Sequence, residues 1–216
     1  MKKKTLNPIP ALPESHQYLW WFCRGAIFVW GAVMLFSGYT TEFLEAMFAI
    51  IFTHLWDLFQ LLGGKTFITR LPYRVQTMLN VLLCFGVVVG TTVNKFTDFT
   101  HIDIPEHFLS GYIATAGSYE LAVIIQGKQT KYKKLSPALA AMFSLAFGVM
   151  LLTAWEFYEF TMDRLYGLNL QQSNFNTEAG LIDTMVDLIV GAAGALTGMF
   201  VTAFSKKSKE KKNNEN

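Results

Sequence analysis

The chain has 216 residues, of which 52% are apolar, 15% aromatic and only 16% charged, with a formal net charge of +2. A soluble domain carries about a quarter charged residues, so this composition excludes an ordinary water-soluble globular protein. It is the composition of a membrane chain.

Stretches of about 20 mostly apolar residues, the length a helix needs to cross the hydrocarbon layer, recur six times. Residues 1–18 form a leading segment that opens on "MKKK". Pro8, Pro10 and Pro13 follow, with no small-x-small cleavage site, so the first span is expected to stay attached. Span one covers 19–37, entered by Trp20 and Trp21 as an interfacial belt would be. Spans two to six follow at 43–62, 77–93, 106–125, 137–160 and 181–204, and 205–216 form a basic tail with no apolar period, expected to be disordered. Cys23 and Cys84 fall inside spans as small hydrophobes, so no disulfide framework is expected. The expectation is one all-α domain over 19–204, a bundle of about six transmembrane helices.

Orientation follows from the basic residues. Lys2, Lys3 and Lys4 precede span one. Lys65, Arg70 and Arg74 separate spans two and three, Lys128, Lys131, Lys133 and Lys134 separate four and five, and five lysines close the chain. The alternate connections hold only Lys95 and Arg164. By the positive-inside rule both termini are cytoplasmic, which fits a multi-pass protein of a plasma (inner) membrane. The basic stretches "KQTKYKK" and "KKSKEKK" then read as orientation signals and contacts to anionic lipid, with no nucleic-acid partner.

The acids take the opposite side. Glu42 and Glu45 begin span two; Asp98, Asp103 and Glu106, with His101 and His107, lead into span four; Glu156, Glu159 and Asp163 end span five; Glu178, Asp183 and Asp187 lead into span six. The helix dipole favours acids in a first turn, which accounts for Glu42, Glu106 and Asp183 without any function. Others lie deeper. With span six starting near Leu181, Asp187 sits about 9 Å below its start and one turn from Asp183. Asp103 and His107 share a face of span four, and Glu156 precedes Glu159 on span five. Ionisable groups inside a span turn toward the bundle interior or a wet cavity, so three helices would aim Asp103, His107, Glu156, Glu159, Asp183 and Asp187 at one place. In "GAAGALTG", Gly191 with Ala195 and Gly194 with Gly198 form small-xxx-small pairs for close helix contact, and Gly111 lies one turn below His107. A second, inner-half polar set comprises Arg24, His54, Asp57 and Glu120, in which Arg24 is expected to pair with one of the acids.

"DIPEHFLSG", "WEFYEF" and "IDTMVDLIVGAAGAL" resemble the three signature segments of the YjdF-like family of bacterial inner-membrane proteins and, more remotely, of VanZ-like proteins. The resemblance runs from 98 to 200, with none seen in spans one and two. It implies a polytopic membrane architecture rather than a particular reaction.

Three functions fit these residues. The outer acids and His107 suit a divalent ion such as magnesium, manganese, calcium or iron better than a thiolate-preferring metal. Such an ion can serve hydrolase or transferase chemistry on a lipid-linked headgroup or other small-molecule ligand at the outer leaflet, with 164–180 as a lid. Alternatively the chain is a proton- or ion-coupled carrier using the inner set, or a structural membrane protein in which the acids bond one another or pair with Lys95 and Arg164. No phosphate-cradling Gly-rich loop, Cys/His zinc pattern or G-x-S-x-G elbow is present. The topology is directly testable. In a cysteine-depleted chain, Asn174→Cys should react with a membrane-impermeant thiol reagent added to intact cells, and Gln129→Cys only after the membrane is opened. The reverse pattern would refute the orientation.

Overall fold

A computed structural model describes residues 11–61, 72–97, 102–127, 135–167, 170–171 and 178–214. Among the described residues 91% are helical and none lies in a strand. Lys2 to Lys4, Lys65, Arg70, Asp98, His101, Lys128 to Lys134, residues 168–169 and residues 172–177 lie outside them, as do the side chains beyond Ser205.

The elements are α1 (Glu14–Phe36), α2 (Thr40–Thr53), α3 (Leu55–Leu61), α4 (Tyr73–Cys84) running through a π-helical stretch at Phe85–Gly90 into α5 (Thr91–Phe96), α6 (Asp103–Gly127), α7 (Pro137–Tyr166) and α8 (Glu178–Asn214). Five helical segments of the described residues are long and apolar enough to cross a membrane, or six when the bent pair α2 and α3 counts as one span. Their outward faces carry residues such as Phe22, Phe28, Phe36, Phe48, Met142, Phe157 and Phe200, all more than half exposed. Apolar surface on that scale requires lipid. By its contacts the chain divides into two compact units, Met1–Phe99 and Thr100–Asn216.

In the first unit α1 packs on α2 and α4. Ile27, Trp30, Met34, Ala46, Ala49 and Val87 form its apolar core. Gly31 lets α2 come close, since a Cβ there would sit 2.7 Å from that of Ala46. The second expected span is broken: α2 and α3 meet at a 42° bend, with His54 between them. No Gly or Pro lies between Thr40 and Leu61, so the cause is tertiary. Side chains of neighbouring helices take over the backbone groups that the bend releases. Arg24 Nη2 donates to the Thr53 carbonyl at 2.5 Å, Gln76 Nε2 donates to the Phe52 carbonyl at 3.0 Å, and Gln76 Oε1 accepts from the Trp56 amide at 3.0 Å.

The second unit is a trio of long helices. Ser136 caps α7 by accepting from the Leu139 amide at 3.2 Å, and Pro137 occupies the first turn, where its missing N–H costs nothing. α7 does not end at the acids near 160. It continues to Tyr166 and stops at Gly167, whose φ of 66° is the left-handed cap conformation that glycine adopts without strain. α8 starts three residues before Leu181, at Glu178, and runs on to Asn214, so the tail expected to be disordered has helical backbone; "SKKSKEKKNN" contains neither Gly nor Pro to stop it.

α6 and α8 touch backbone to backbone. A Cβ on Gly111 would lie 2.0 Å from the Gly191 carbonyl oxygen, one on Gly194 would lie 1.9 Å from that of Phe108, and one on Gly198 2.7 Å from that of Tyr112. These three contacts require glycine. Gly148 of α7 admits Thr115 of α6 in the same way, at 2.2 Å from the Thr115 hydroxyl oxygen. Inserting side-chain volume into packed interiors costs about 1–3 kcal/mol where neighbours can adjust, and a backbone carbonyl adjusts least. Gly194→Leu should therefore lower the thermal unfolding midpoint of detergent-purified protein by several degrees. Gly25→Leu, at a position with no atom within 4 Å of the added Cβ, should leave the midpoint within error.

Candidate functional site

The glycine contacts fix the register of the acids. Asp103 and His107 lie two turns and one turn before Gly111 on α6. Asp183 and Asp187 stand in the same relation to Gly191 on α8. On α7 the buried residues are Ala140, Ser144, Gly148, Leu152, Glu156, Glu159 and Asp163, spaced by three or four so that they form one stripe. Leu152 packs on Gly191, with its side chain 2.8 Å from a Cβ placed there. Glu156, one turn further on, therefore comes level with His107 and Asp187.

The imidazole of His107 sits between two carboxylates. Its Nδ1 is 3.7 Å from Glu156 Oε1 and its Nε2 is 3.8 Å from Asp187 Oδ2. Both distances exceed hydrogen-bonding range. Glu156 and Asp187 are 4% and 3% exposed, and each keeps one oxygen, Glu156 Oε2 and Asp187 Oδ1, buried with no hydrogen-bond partner. Ligand atoms of His107, Glu156 and Asp187 lie within 4.8 Å of one another, and so do those of Asp103, Asp183 and Asp187. Asp187 belongs to both groups. Because α8 starts at Glu178, three residues before Leu181, Asp187 lies about 13 Å along the helix axis from its start.

The other acids have different work. Glu159 is buried but falls in neither group, and its Oε1 accepts from Trp155 Nε1 at 2.8 Å, one turn earlier on α7. Asp163 caps the following connection: its Oδ1 accepts from the Leu170 amide at 2.8 Å and its Oδ2 from the Gln171 amide at 3.0 Å. The Gln171 side chain in turn donates to Thr184 of α8 at 2.8 Å. The sequence reading counted Asp163 among the acids and gave it no such role. The Trp155–Glu159 pair was legible as an i,i+4 spacing, while the Asp163 contacts depend on the fold of the connection.

The inner-half set divides between the units. In the first unit Arg24 pairs with Asp57 at 2.7 Å, as expected for one of its two acids, and His54 Nδ1 lies 2.9 Å from the same Asp57 oxygen. The Arg24 guanidinium also lies 5.3 Å from the Trp20 ring centre and 5.9 Å from that of Trp21. A cavity of about 340 Å³ opens beside these residues. Glu120 belongs to α6 in the second unit. Lys95 pairs with Glu42, within the first unit.

Chemically, the trio offers carboxylate oxygens and one imidazole nitrogen, a hard donor set suited to magnesium, manganese, calcium or iron(II). One ring nitrogen can bind an ion while the other, as N–H, turns to a carboxylate, the usual second contact of a ligating histidine.

The sequence pattern of a family described as "Predicted membrane protein (DUF2238)" matches residues 16–208. The match takes in the first two spans, where the signature segments gave no resemblance. A protein of Thermotoga maritima, itself described as uncharacterized, is 28% identical over 139 residues, covering 64% of this chain and 66% of that protein's length. No solved structure matches.

Side chains that share one network couple by about 0.5–3 kcal/mol in double-mutant cycles, whereas isolated helix-end acids are nearly additive. His107→Gln and Asp187→Asn, singly and together, should be strongly non-additive in thermal stability. His107→Gln with Asp163→Asn should add within about 0.5 kcal/mol, because Asp163 serves the connection. Additivity in both pairs would dissolve the cluster.

Proposed function

The chain belongs to that family of membrane proteins, and on this premise we propose that its second unit binds a divalent cation through His107, Glu156 and Asp187 and presents it to a phosphate-bearing lipid headgroup. The observation that carries the reading is that each of the two acids flanking His107 keeps one buried oxygen, Glu156 Oε2 and Asp187 Oδ1, with no hydrogen-bond partner. Buried carboxylates are costly unless paired or metal-bound. An imidazolium would supply charge, but at 3.7 and 3.8 Å it satisfies neither acid by a hydrogen bond. A cation bonds oxygen at about 2.0–2.6 Å, so a modest inward movement of the three side chains completes its contacts.

The headgroup follows from length. α7 has 30 residues, about 45 Å at 1.5 Å per residue, against a hydrocarbon layer of about 30 Å. A tilt of nearly 50° would be needed to bury it, beyond the range of about 0–40° that spanning helices adopt. One end therefore reaches the headgroup layer, and the end carrying Glu156, Glu159 and Asp163 is the polar one. With the lysine asymmetry, this supports a cluster at the outer leaflet of a bacterial plasma membrane. The remoter likeness to VanZ-like proteins rests on the sequence segments alone.

A second reading, an ion- or proton-coupled carrier, draws on the broken helix of the first unit. Interrupted spans in carriers line substrate and ion sites with released backbone groups, and here Arg24, His54 and Asp57 gather at the break. On that reading Asp57→Asn would abolish ion flux into proteoliposomes at normal protein abundance. On the reading favoured here it weakens stability instead.

The metal is tested with protein stripped by chelator and titrated with Mn2+. A ligand at a hundredfold excess over its Kd stabilises by about 2.7 kcal/mol, so Mn2+ should raise the unfolding midpoint by several degrees. Glu156→Gln and Asp187→Asn should remove that rise. A rise of the same size in both variants, or none in the wild type, would overturn the reading.

A further inference from the structure

The structure assigns a second cation position beside the first, with Asp187 bridging the two ions. The inference rests on the reading of His107, Glu156 and Asp187 as a divalent-cation site. It adds Asp103 and Asp183, one helical turn closer to the ends of α6 and α8.

Asp187 is the only residue common to the two ligand groups found among the described residues. Its two oxygens are differently engaged. Oδ2 faces His107 Nε2 at 3.8 Å, toward the first group. Oδ1 is buried and accepts no hydrogen bond, on a side chain that is 4% exposed. A carboxylate with one oxygen turned to each of two ions spans the separation of about 3.5–4 Å typical of paired metal sites. Helical spacing supplies the remaining ligands: Asp103 precedes His107, and Asp183 precedes Asp187, by four residues, so the backbone of each pair rises about 6 Å and both side chains share one face.

The two positions differ in access. Around the first, Glu156 and Asp187 are buried and His107 is largely covered. Around the second, Asp103 and Asp183 are only partly buried. The second ion would thus have carboxylates on one side and open coordination on the other, where water or a phosphate oxygen completes its shell. Clustering alone would leave this as a set of acids. The unbonded Asp187 Oδ1 and Glu156 Oε2, on side chains more than nine-tenths buried, are what point to ions.

The test uses the full chain in detergent, stripped by chelator, reloaded with Mn2+ and desalted. Manganese per chain is measured by elemental analysis, and spin coupling by electron paramagnetic resonance. Wild type should hold two Mn2+ per chain and show the broad spectrum of an exchange-coupled pair. Asp183→Asn and Asp103→Asn should each hold one and show the hyperfine pattern of an isolated ion. Asp187→Asn should weaken loading of both positions at least tenfold and abolish the coupling. Gel filtration and circular dichroism identify any variant that fails to fold, and either of the two outer substitutions suffices for the comparison. One Mn2+ per wild-type chain, with an isolated-ion spectrum unaffected by Asp183→Asn and Asp103→Asn, would overturn the second position and leave the first intact. Two ions without coupling would overturn the bridge. No bound manganese in a folded wild type would overturn both this inference and the reading beneath it.

Discussion

The backbone contact between α6 and α8 governs the second unit. In lipid the tails are as apolar as the side chains, so helices gain little from hydrophobic burial against one another and depend on close fit. Gly111, Gly191, Gly194 and Gly198 reduce the interface to main-chain contact, and a contact that close has one register. Sliding either helix by a residue would turn its side chains by about 100° and set the glycines against bulk. The acids inherit this register. His107 meets Asp187 because Phe108 meets Gly194.

The two units handle buried polar groups differently. In the first, a bent helix releases carbonyls and an amide, and Arg24 and Gln76 meet them. Trp20 and Gln76 extend this pairing to Thr77 and Asn80, leaving Arg24 Nε and Asn80 Nδ2 without partners. In the second, two of the unpartnered atoms are Glu156 Oε2 and Asp187 Oδ1, on the acids that flank His107. Unpartnered acceptors on two helices flanking one histidine suit a positive charge, and the cation site is proposed there for that reason.

Much of this was legible in the chain. The helices announced themselves by apolar length, and the pairs Asp103/His107 and Asp183/Asp187 by their spacing of four. The ends of α7 and α8 did not, because charged residues within a helix look like its boundary when only hydropathy is followed. Tyr166 and Glu178 lie beyond the limits that an apolar run sets. The bend at His54 had no local sign, since its cause sits on α1 and α4. The division of labour among Glu156, Glu159 and Asp163 was also hidden, because it depends on what each oxygen meets: His107, the Trp155 indole and the connection after α7.

The Arg24–Asp57 pair bears on how the first unit enters the bilayer. An isolated arginine or aspartate at mid-span costs about 2.5–3.5 kcal/mol by insertion scales, and the bent α2–α3 segment carries released carbonyls besides. Each charge lowers the gain of inserting its own segment alone. Joined, the guanidinium takes both the Thr53 carbonyl and the Asp57 carboxylate, and the opposite charges enter as one hydrogen-bonded unit. Partition of this half is thus most favourable when the first helical hairpin enters with the pair already joined, because the joined charges cost less than the two apart.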